Sequence, residues 1–353
     1  MGPYVESARV WSHRPSPRST WAMVELVADG IRGVGELSDG GPLDVLLETA
    51  QTMRSSIIGC SLEQARVELA RPADTFLWST VRGGFASALA DLTARRDGLA
   101  LSESLGLGAP RPVRLYANLN RRFGGAGPEA IVAEAVRAVG NGFPAVKVAP
   151  FLDNRARGLS GTRLLDAGLE LVGKVRAAIP HDVRLMVDCH HLVPPQFATV
   201  VVREFAALEL YWVEDLWPIE DRAANEAAAS AGLALAAGEH VWQPELAAAA
   251  CAGGALSFWL VDPKHAGGPA GVARIAEAIG DTRLTFHNPS GPVGTAHAAQ
   301  LAGLAGADGW LEYAWGEADR RTFLEPAEVV VDGKFLPAGP GIGAAVACRV
   351  GEE

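Results

Sequence analysis

Short apolar segments alternate with helix-forming segments from about residue 112 to residue 315. Most of the helix-forming segments are amphipathic or rich in alanine, as in TRLLDAGLELVGKVRAAI. Regular alternation of strand, turn and helix predicts a parallel sheet, and eight parallel strands predict a sheet that closes into a barrel. The predicted strands are VRLYANLN (113–120), AVKVAP (145–150), VRLMVDCH (183–190), LYWVEDL (210–216), LALAAGEH (233–240), FWLVDP (258–263), LTFHNP (284–289) and WLEYAW (310–315).

Residues 1–111 have a different pattern, in which strands come first and helices follow. Segments 5–11 and 20–38 predict strands, and Asp29-Gly30 inside the second segment is a strong turn signal. Strands followed by helices are typical of an α+β domain. The tail, which contains AEVVVDGKFLPAGPGIG, follows the last predicted barrel strand, and we expect it to return to this first domain.

Charge and cysteine content exclude several classes of protein. The net charge is −10 and no run is rich in lysine and arginine, so we expect no nucleic-acid partner. No run of about 18 apolar residues is present, and the N-terminus lacks a basic segment followed by an apolar one, so we expect neither a membrane span nor a signal peptide. The four cysteines form no C-x-x-C pair, which favours reduced thiols in a cytoplasmic protein over a zinc or iron–sulfur site.

Ionisable residues recur where the predicted barrel strands end, and this end of a (β/α)₈ barrel carries the catalytic groups. From Asp188 onward their spacings are 26, 25, 23, 25 and 25 residues, about one strand, one helix and their loops. A lone acidic residue after a strand is more often the N-cap of the next helix, but that alternative does not predict six ionisable residues in register. The candidate residues are Lys147, Asp188, His190, Glu214, Glu239, Asp262, His287 and Glu312.

Three of these carboxylates, Asp188, Glu214 and Glu239, fall on successive strands. A ligand set made only of oxygen favours Mg²⁺ over zinc or copper. Without a cation the three groups would repel one another and raise each other's pKa. The alternative is that Lys147 and Lys264 neutralise them.

Asp262 and His287 end adjacent predicted strands. A carboxylate beside an imidazole fixes its tautomer and raises its basicity, which suits a general base, although a purely structural His–Asp pair is the alternative. His190 is two residues after Asp188, so strand alternation predicts that both side chains face the barrel interior, where His190 would serve as a general acid. By the same alternation Cys189 should face the helices and be inert.

The chain resembles the mandelate racemase-like branch of the enolase superfamily over nearly its whole length. GVGELS (33–38) and SALADLTARRDGLALSESLG (87–106) are similar to the hairpin and last helix of that family's capping domain. FPAVKVAPF, LMVDCHH, YWVEDLWP, LAAGEH, DPKHAGGPAG, FHNPSGPVGTAHAAQLA and WLEYAW are similar to its barrel motifs in family order, and PGIG (340–343) is similar to its C-terminal return. The resemblance implies an α/β fold: a modified (β/α)₇β TIM-type barrel over residues 112–321, with an α+β capping domain over residues 1–111 and a return over residues 322–353.

The resemblance also implies a chemistry, the removal of a proton next to a substrate carboxylate. Asp262 and His287 match the family's dyad base, and Glu312 matches its electrophile, which donates a hydrogen bond to the substrate carboxylate. Glu312 must be protonated to donate, so we expect burial to raise its pKa. Removing a proton next to a carboxylate produces a dianion. A cation and hydrogen-bond donors aimed at both carboxylate oxygens are needed to stabilise its charge. The implied ligands of Mg²⁺ are Asp188, Glu214 and Glu239.

Strand 2 departs from the racemase pattern. Racemases of this branch carry Lys-x-Lys there, whereas this chain has Lys147-Val148-Ala149, which lacks the usual second base. Asp188-x-His190, in DCHHLVPP, is instead similar to sugar-acid dehydratases of the mannonate, gluconate and galactonate type, in which the histidine protonates the leaving β-hydroxyl. We therefore predict a Mg²⁺-dependent hydro-lyase that converts a sugar acid to a 2-keto-3-deoxy acid. The alternatives are an epimerase or racemase that uses His287 and Lys147, and a non-catalytic protein that binds a metal and a carboxylate.

We expect substrate specificity to come from predicted strand 1, from Lys264 and from the loop HRPSPRST (13–20). Arg14 and Arg18 in this loop would bind a distal carboxylate or phosphate, or else remain solvated charges. We expect a small-molecule carboxylate as the partner and a homo-oligomer, a dimer or an octamer. The candidate substrate-binding residues are Asn118, Asn120, Lys264, Arg14 and Arg18.

Overall fold

The computed structural model describes residues 2–17, 19–120 and 127–347. Its strands are β1 Ser7–Ser16, β2 Ser19–Ala28, β3 Ile31–Glu36, β4 Val113–Asn118, β5 Ala145–Val148, β6 Arg184–Asp188, β7 Trp212–Glu214, β8 Leu235–Ala237, β9 Leu256–Val261, β10 Arg283–Phe286, β11 Trp310–Ala314, β12 Leu324–Glu325, β13 Val330–Val331, β14 Lys334–Phe335 and β15 Ala345–Val346.

The α-helices of the described ranges are α1 Leu43–Ile57, α2 Leu62–Leu69, α3 Phe76–Arg96, α4 Leu101–Ser104, α5 Pro128–Gly140, α6 Pro150–Ala156, α7 Gly161–Ala178, α8 Ala198–Ala206, α9 Arg222–Ser230, α10 Pro244–Cys251, α11 Pro269–Ala278 and α12 Pro292–Gln300. Short 3₁₀ helices cover Pro195–Phe197, Ala302–Asp308 and Trp315–Arg320. Within the described part of the chain, no helix is both long enough and apolar enough to cross a membrane.

Strands β4 to β11 form a closed barrel of eight parallel strands. Each strand pairs with the next in chain order, and β11 pairs in parallel with β4 from Trp310↔Arg114 to Ala314↔Asn118, which closes the sheet. The predicted α/β barrel is confirmed. A closed barrel brings the carboxyl ends of all eight strands to one mouth, so residues distant in sequence share a small space there.

Large aromatic side chains fill the barrel below this mouth. Tyr116, Trp212, Phe258 and Trp310 are almost fully buried, and the rings of Tyr116 and Trp212 meet edge to face at 5.2 Å. Interior layers of this kind make a barrel a packed core and not a pore. The space available to a ligand is therefore confined to the mouth.

Strands β1, β2 and β3 form an antiparallel sheet in the N-terminal region, and helix α3 packs across it. Asp29 and Gly30, with φ of 51° and 72°, form the predicted turn between β2 and β3. The approach of α3 to the sheet requires glycine, because a Cβ on Gly35 would lie 2.0 Å from the carbonyl oxygen of Gly84. Helix α3 also contacts the barrel, where Ser79 Oγ donates to the carbonyl of His265 at 2.6 Å.

The C-terminal tail divides between the two layers, which differs from the expected return to the first domain alone. The β13–β14 hairpin adds to the barrel sheet, since β14 pairs antiparallel with β4. Farther on, the backbone N–H of Ile342 donates to Asp91 Oδ1 of α3 at 2.8 Å. The hairpin joins the barrel because β5 pairs only with Ala117 and Asn118 of β4, which leaves the N-terminal half of that edge to β14. The predicted domain boundaries stay a prediction.

Candidate active site

A cavity of about 340 Å³ opens at the barrel mouth and is bounded by both the barrel and the N-terminal region. It brings together many of the residues predicted from sequence, and it adds several that were not predicted. The predicted lining residues are Asn118, Asn120, Lys147, Asp188, His190, Glu239, His287 and Glu312. The further lining residues are Asp39, Leu152, His240, His265 and Pro289.

The three candidate metal ligands are buried beside one another. Asp188 and Glu214 are the last residues of β6 and β7 and are paired in register, and Glu239 comes two residues after the end of β8. Burial, with the charge of neighbouring carboxylates, raises the pKa of Glu214 to about 7 and that of Glu239 well above its usual value. Burial also acts to raise the pKa of Asp188, but His190 and Lys147 lower it to about 2. Two of the three carboxylates thus lack sufficient positive charge in this arrangement.

This donor set fits a hard divalent cation, because it offers only carboxylate oxygens and because a cation would remove the cost of burying them together. A different grouping lies closer together: ligand atoms of Asp215, Glu239 and His240 are within 4.8 Å of one another, whereas among the described residues the predicted set is not that compact. Glu239 belongs to both sets. Sequence reasoning did not single out Asp215 or His240, although each directly follows a predicted ligand.

Lys147 supplies part of the missing charge, as the alternative without metal expects. Its Nζ lies 2.6 Å from Glu214, 3.4 Å from Glu312 and 3.7 Å from Asp188, and the side chain is 1% exposed. Burial opposes its charge, but these neighbouring acids raise the pKa of Lys147 well above its usual value. The ammonium therefore stays protonated.

Asp262 and His287 form the predicted pair. His287 Nδ1 lies 2.9 Å from Asp262 Oδ2, and its Nε2 faces the cavity, 3.1 Å from Glu239 Oε2 and 3.6 Å from Glu312 Oε2. Burial acts to raise the pKa of Asp262, yet Lys264, His265 and His287 lower it far below its usual range. Asp262 is therefore an anion that can accept a hydrogen bond from Nδ1–H of His287. In that tautomer Nε2 carries no proton and can accept one.

Lys264 is not a cavity residue, in contrast to its predicted role in substrate binding. Its Nζ donates to Asp262 Oδ2 and to Asn288 Oδ1, both at 2.8 Å, and the side chain is 3% exposed. The side chain of Lys264 points toward Asp262 because a buried carboxylate without a cation is costly, whereas solvent can stabilise charged groups at the mouth. Lys264 therefore contacts Asp262 on the side that faces away from the cavity.

His190 reaches the cavity by a different route from the one predicted. Strand β6 ends at Asp188, and both His190 and His191 have left-handed backbones, with φ of 47° and 53°. This turn places His190 Nδ1 2.9 Å from Asp188 Oδ1, while His191 Nε2 lies 3.7 Å from Asp215. Burial opposes the charge of His190, but Asp188 raises its pKa to about 9.

Glu312 differs most from expectation, since its pKa is lowered and not raised. Burial acts to raise it, but the charges of Lys147 and His287 and a hydrogen bond from Asn118 Nδ2 outweigh burial. The hydroxyl of Tyr116 and the backbone N–H of Asn288 also donate to Glu312, at 3.3 and 3.2 Å. The group lies in the middle of β11, surrounded by donors, and is an ionised acceptor in this arrangement.

The remaining predicted substrate residues divide between the cavity and the surface. Asn118 Oδ1 accepts from the backbone N–H of Asn120 at 2.7 Å, and both residues line the cavity. Arg14 is exposed and donates to the carbonyl of Pro17 at 3.1 Å, so it does not line the cavity. Arg18 lies outside the described residues.

Comparison with known proteins gives the family. The model of the enolase C-terminal domain-like family matches residues 130–349, more than half of the chain. The chain belongs to this family. Members of the enolase superfamily bind a divalent metal ion, which agrees with the donor set described above.

Two curated relatives of this enolase-type chain are dehydratases. D-gluconate dehydratase of Thermoproteus tenax is 28% identical over 288 residues, which cover 79% of this chain and 57% of that protein. D-galactonate dehydratase of Xanthomonas oryzae pv. oryzae (strain PXO99A) is 26% identical over 311 residues, 82% of this chain and 76% of the relative. The chain thus spans little more than half the length of the first of these relatives.

Solved structures of the superfamily share the fold. An enolase superfamily member from Salmonella Typhimurium superposes with a TM-score of 0.85 at 21% identity, over 98% of this chain and 96% of the other. The 3,6-anhydro-D-galactonate cycloisomerase of Zobellia galactanivorans superposes with a TM-score of 0.82 at 21% identity, over 98% and 97%. The likeness extends over the N-terminal region as well as the barrel.

Besides His240, two further cavity residues, His265 and Asp39, were not predicted from the sequence. His265 comes three residues after Asp262, and its ring lies 4.5 Å from that of Phe76 in α3. Asp39 has a φ of 67° and precedes two glycines, which marks a tight turn directly after the N-terminal sheet. Neither signal shows by itself that the turn meets the barrel mouth.

Proposed function

We propose that this chain is a dehydratase of sugar acids that depends on a divalent metal. The observation that carries the proposal is that His287, backed by Asp262, and His190, beside Asp188, line the same cavity. A dehydration needs one group that removes a proton and one that delivers a proton to the leaving oxygen. The dehydratase names of the two curated relatives support the same reaction class.

His287 is the proposed base. Its Nδ1 is held by Asp262 at 2.9 Å, so Nε2 is the nitrogen that accepts the proton from the carbon next to the substrate carboxylate. The anionic Asp262 stabilises the imidazolium that results. Binding of a ligand without chemistry would not require a base oriented in this way, which disfavours the non-catalytic alternative.

His190 is the proposed acid. It donates a proton to the β-hydroxyl as the bond between the β-carbon and that oxygen breaks, so water leaves. The electron pair of the broken α-C–H bond becomes the double bond of an enol, and this enol tautomerises to a 2-keto-3-deoxy acid. The overall change is the loss of one water from the sugar acid, with no change of oxidation state summed over the substrate.

Asp188, Glu214 and Glu239 would hold the cation, and Mg²⁺ is the ion that an oxygen-only site favours. When bound, the cation supplies stabilisation of the negative charge that develops on the substrate carboxylate. Lys147 lies under the same carboxylates, 2.6 Å from Glu214, and adds fixed positive charge. Its raised pKa keeps it protonated, so it does not offer the second base that the epimerase alternative requires.

The substrate is a small carboxylic acid with hydroxyl groups, for which the amides of Asn118 and Asn120 and the carboxylate of Asp39 offer polar partners in the cavity wall. A homo-oligomer, a dimer or an octamer, stays a prediction. So does a cytoplasmic location, in keeping with Cys60, Cys189 and Cys251, which are free thiols.

The test uses sugar acids, Mg²⁺ and deuterated solvent, with proton NMR following both half-reactions in one sample. Wild-type protein should form a 2-keto-3-deoxy acid from at least one substrate. His190→Asn should keep exchange of the α-proton through His287 while formation of the keto acid falls by about 10²–10⁴-fold, the usual contribution of a general acid.

His191→Asn is the matched control, because it changes the neighbouring histidine of the same turn and should leave both processes intact. Inversion at the α-carbon without release of water by the wild type would contradict the dehydratase proposal. Equal loss of exchange and elimination in His190→Asn would contradict the separate role of His190.

A further inference from the structure

Glu36 joins the N-terminal region to the barrel through a buried carboxylate. It is the last residue of β3 and is 1% exposed. Its Oε1 accepts from the backbone N–H of Gly291 and its Oε2 from that of Gly294, each at 2.7 Å, at the first turn of α12. Ser38 Oγ donates a third hydrogen bond to Oε1 at 2.7 Å. The charge is thus held by unpaired N–H groups of a helix N-terminus, which favour an anion.

Gly291 is held from both sides. Its N–H donates to Glu36, and its carbonyl accepts from Asn288 Nδ2 at 3.1 Å. Asn288 is fully buried and directly follows His287 in the chain. The loop that carries the proposed base is therefore tied to the N-terminal sheet within four residues.

Asn288 in turn contacts both sides of the catalytic machinery. Its Oδ1 accepts from Lys264 Nζ, the cation that also binds Asp262, at 2.8 Å. Its backbone N–H donates to Glu312 Oε2 at 3.2 Å. A shift of Asn288 would therefore displace Lys264, the cation that binds Asp262, together with a donor of Glu312.

From this series of contacts we propose that Glu36 is a positioning residue for His287, acting through Gly291 and Asn288. Glu36 touches neither the cavity nor the reacting groups, so its effect is on geometry. The inference rests on the function proposed above, in which His287 is the base. Misplacing a reacting group by about 1 Å costs on the order of 10²-fold in rate, which sets the size of effect to look for.

Gly291 provides an independent way to disturb the same contact. A Cβ at this position would lie 2.7 and 2.9 Å from the two carboxylate oxygens of Glu36, and these are its nearest neighbours. The backbone of Gly291, with φ of −80° and ψ of 172°, is one that alanine adopts without strain. Gly291→Ala should therefore disturb the loop only where the Glu36 carboxylate is present.

The experiment is a double-mutant cycle of Glu36→Ala and Gly291→Ala, with Asp91→Asn as the matched control. Asp91 is a second buried acid of the N-terminal region, and it accepts from the backbone of Val34 and Ile342, not from the barrel loop. We measure α-proton exchange with a sugar-acid substrate and Mg²⁺, well below the melting temperature of every variant. Histidine ring signals in ¹⁵N-labelled protein without substrate give a second readout, with His287 assigned through His287→Asn.

Each single variant, Glu36→Ala and Gly291→Ala, should lower kcat by about 10²-fold with little change in KM, and the double variant should be no worse than Glu36→Ala. The ring signals of His287 should move in both and stay in place in Asp91→Asn. Additive losses in the cycle, or unmoved His287 signals, would overturn the inference. If the wild type shows no exchange with any substrate, the proposed function has failed, and the ring signals still decide the role of Glu36.

Discussion

Replacing Lys264 by methionine isolates the contribution of the cation behind the dyad. Lys264→Met keeps the length of the side chain and removes the charge that lies 2.8 Å from Asp262, with both side chains at most 3% exposed. It also removes the hydrogen bond to Asn288 Oδ1. Asp262 retains His287 Nδ1 at 2.9 Å and the backbone N–H of residue 264 at 2.9 Å. The carboxylate would thus be buried with the imidazoles of His287 and His265 as its side-chain partners.

The expected cost follows from the burial of this pair. Removing one partner of a buried ion pair costs about 3–5 kcal/mol in free energy of unfolding, because the remaining charge is left uncompensated. Because Asp262 keeps two hydrogen-bond partners, we expect Lys264→Met to lose about 3 kcal/mol in free energy of unfolding, the lower end of this range. Asp262→Asn/Lys264→Met removes both charges and should recover a large part of that loss. Neither variant should exchange the substrate α-proton at the wild-type rate, because Lys264→Met disturbs the carboxylate that holds His287 and the double variant removes it.

The stability lost in Lys264→Met should depend on pH, and the lowered pKa of Asp262 gives the direction of that dependence. The pKa of Asp262 is lowered in the folded protein, so its contribution to stability is complete above the unfolded value of about 3.9 and is lost as the pH falls toward the folded value. Lys264→Met raises the folded pKa and so reduces this contribution. The unfolded state is the same for both proteins, so the difference in stability between wild type and Lys264→Met should be largest near neutral pH and should narrow only as the pH falls below the folded pKa of Asp262 in the variant.

Urea unfolding at constant Mg²⁺, followed by circular dichroism from pH 7 downward, measures these differences. Equal stability of wild type and Lys264→Met at neutral pH would refute the assignment of Lys264 as the partner of Asp262. A double variant that loses the sum of the two single losses would do the same, because contacting charges must be coupled.

Two further predictions concern the cation and Glu312. A chelator should abolish turnover and added Mg²⁺ should restore it, and Asp188→Asn or Glu239→Gln should remove activity while circular dichroism stays unchanged; full turnover in excess chelator would exclude the metal site. Glu312→Gln should lose nearly as much α-proton exchange as Glu312→Ala, because an amide nitrogen would face the donors of Asn118 and Asn288. If Glu312→Gln kept high activity while Glu312→Ala lost it, the result would favour a neutral Glu312 that donates a hydrogen bond to the substrate.

The barrel and most of its mouth could be predicted from the sequence because both depend on a local pattern. Each strand-and-helix unit returns the chain to the same edge of the sheet, so polar residues spaced by one unit reach one mouth. That reasoning placed Asp188, Glu239 and His287 in the cavity wall correctly. It needed no knowledge of which side chains would touch.

Side-chain direction beyond the strand ends could not be predicted in the same way. Period-two alternation does not apply to His190, because the strand has ended and the backbone there has a φ of 47°. Lys264 has a long flexible side chain whose choice between the cavity and Asp262 depends on burial that the sequence does not show. Glu36 and Gly291 are 255 residues apart, and no periodic signal connects them.

The distribution of positive charge explains where a cation is required. Lys264 neutralises Asp262, and Lys147 reaches Glu214, Asp188 and Glu312 but not Glu239. In the described part of the chain, the ion-pair partners of Glu239 are histidines alone, His240 at 3.3 Å and the proposed base His287 at 3.1 Å. Burial and the surrounding acids then raise the pKa of Glu239 well above its usual value. Neither lysine reaches this group, so we propose that Glu239 is the carboxylate whose burial a bound cation balances. In that proposal the cation takes the place of His287 Nε2 beside Glu239 and leaves this nitrogen to act as the base.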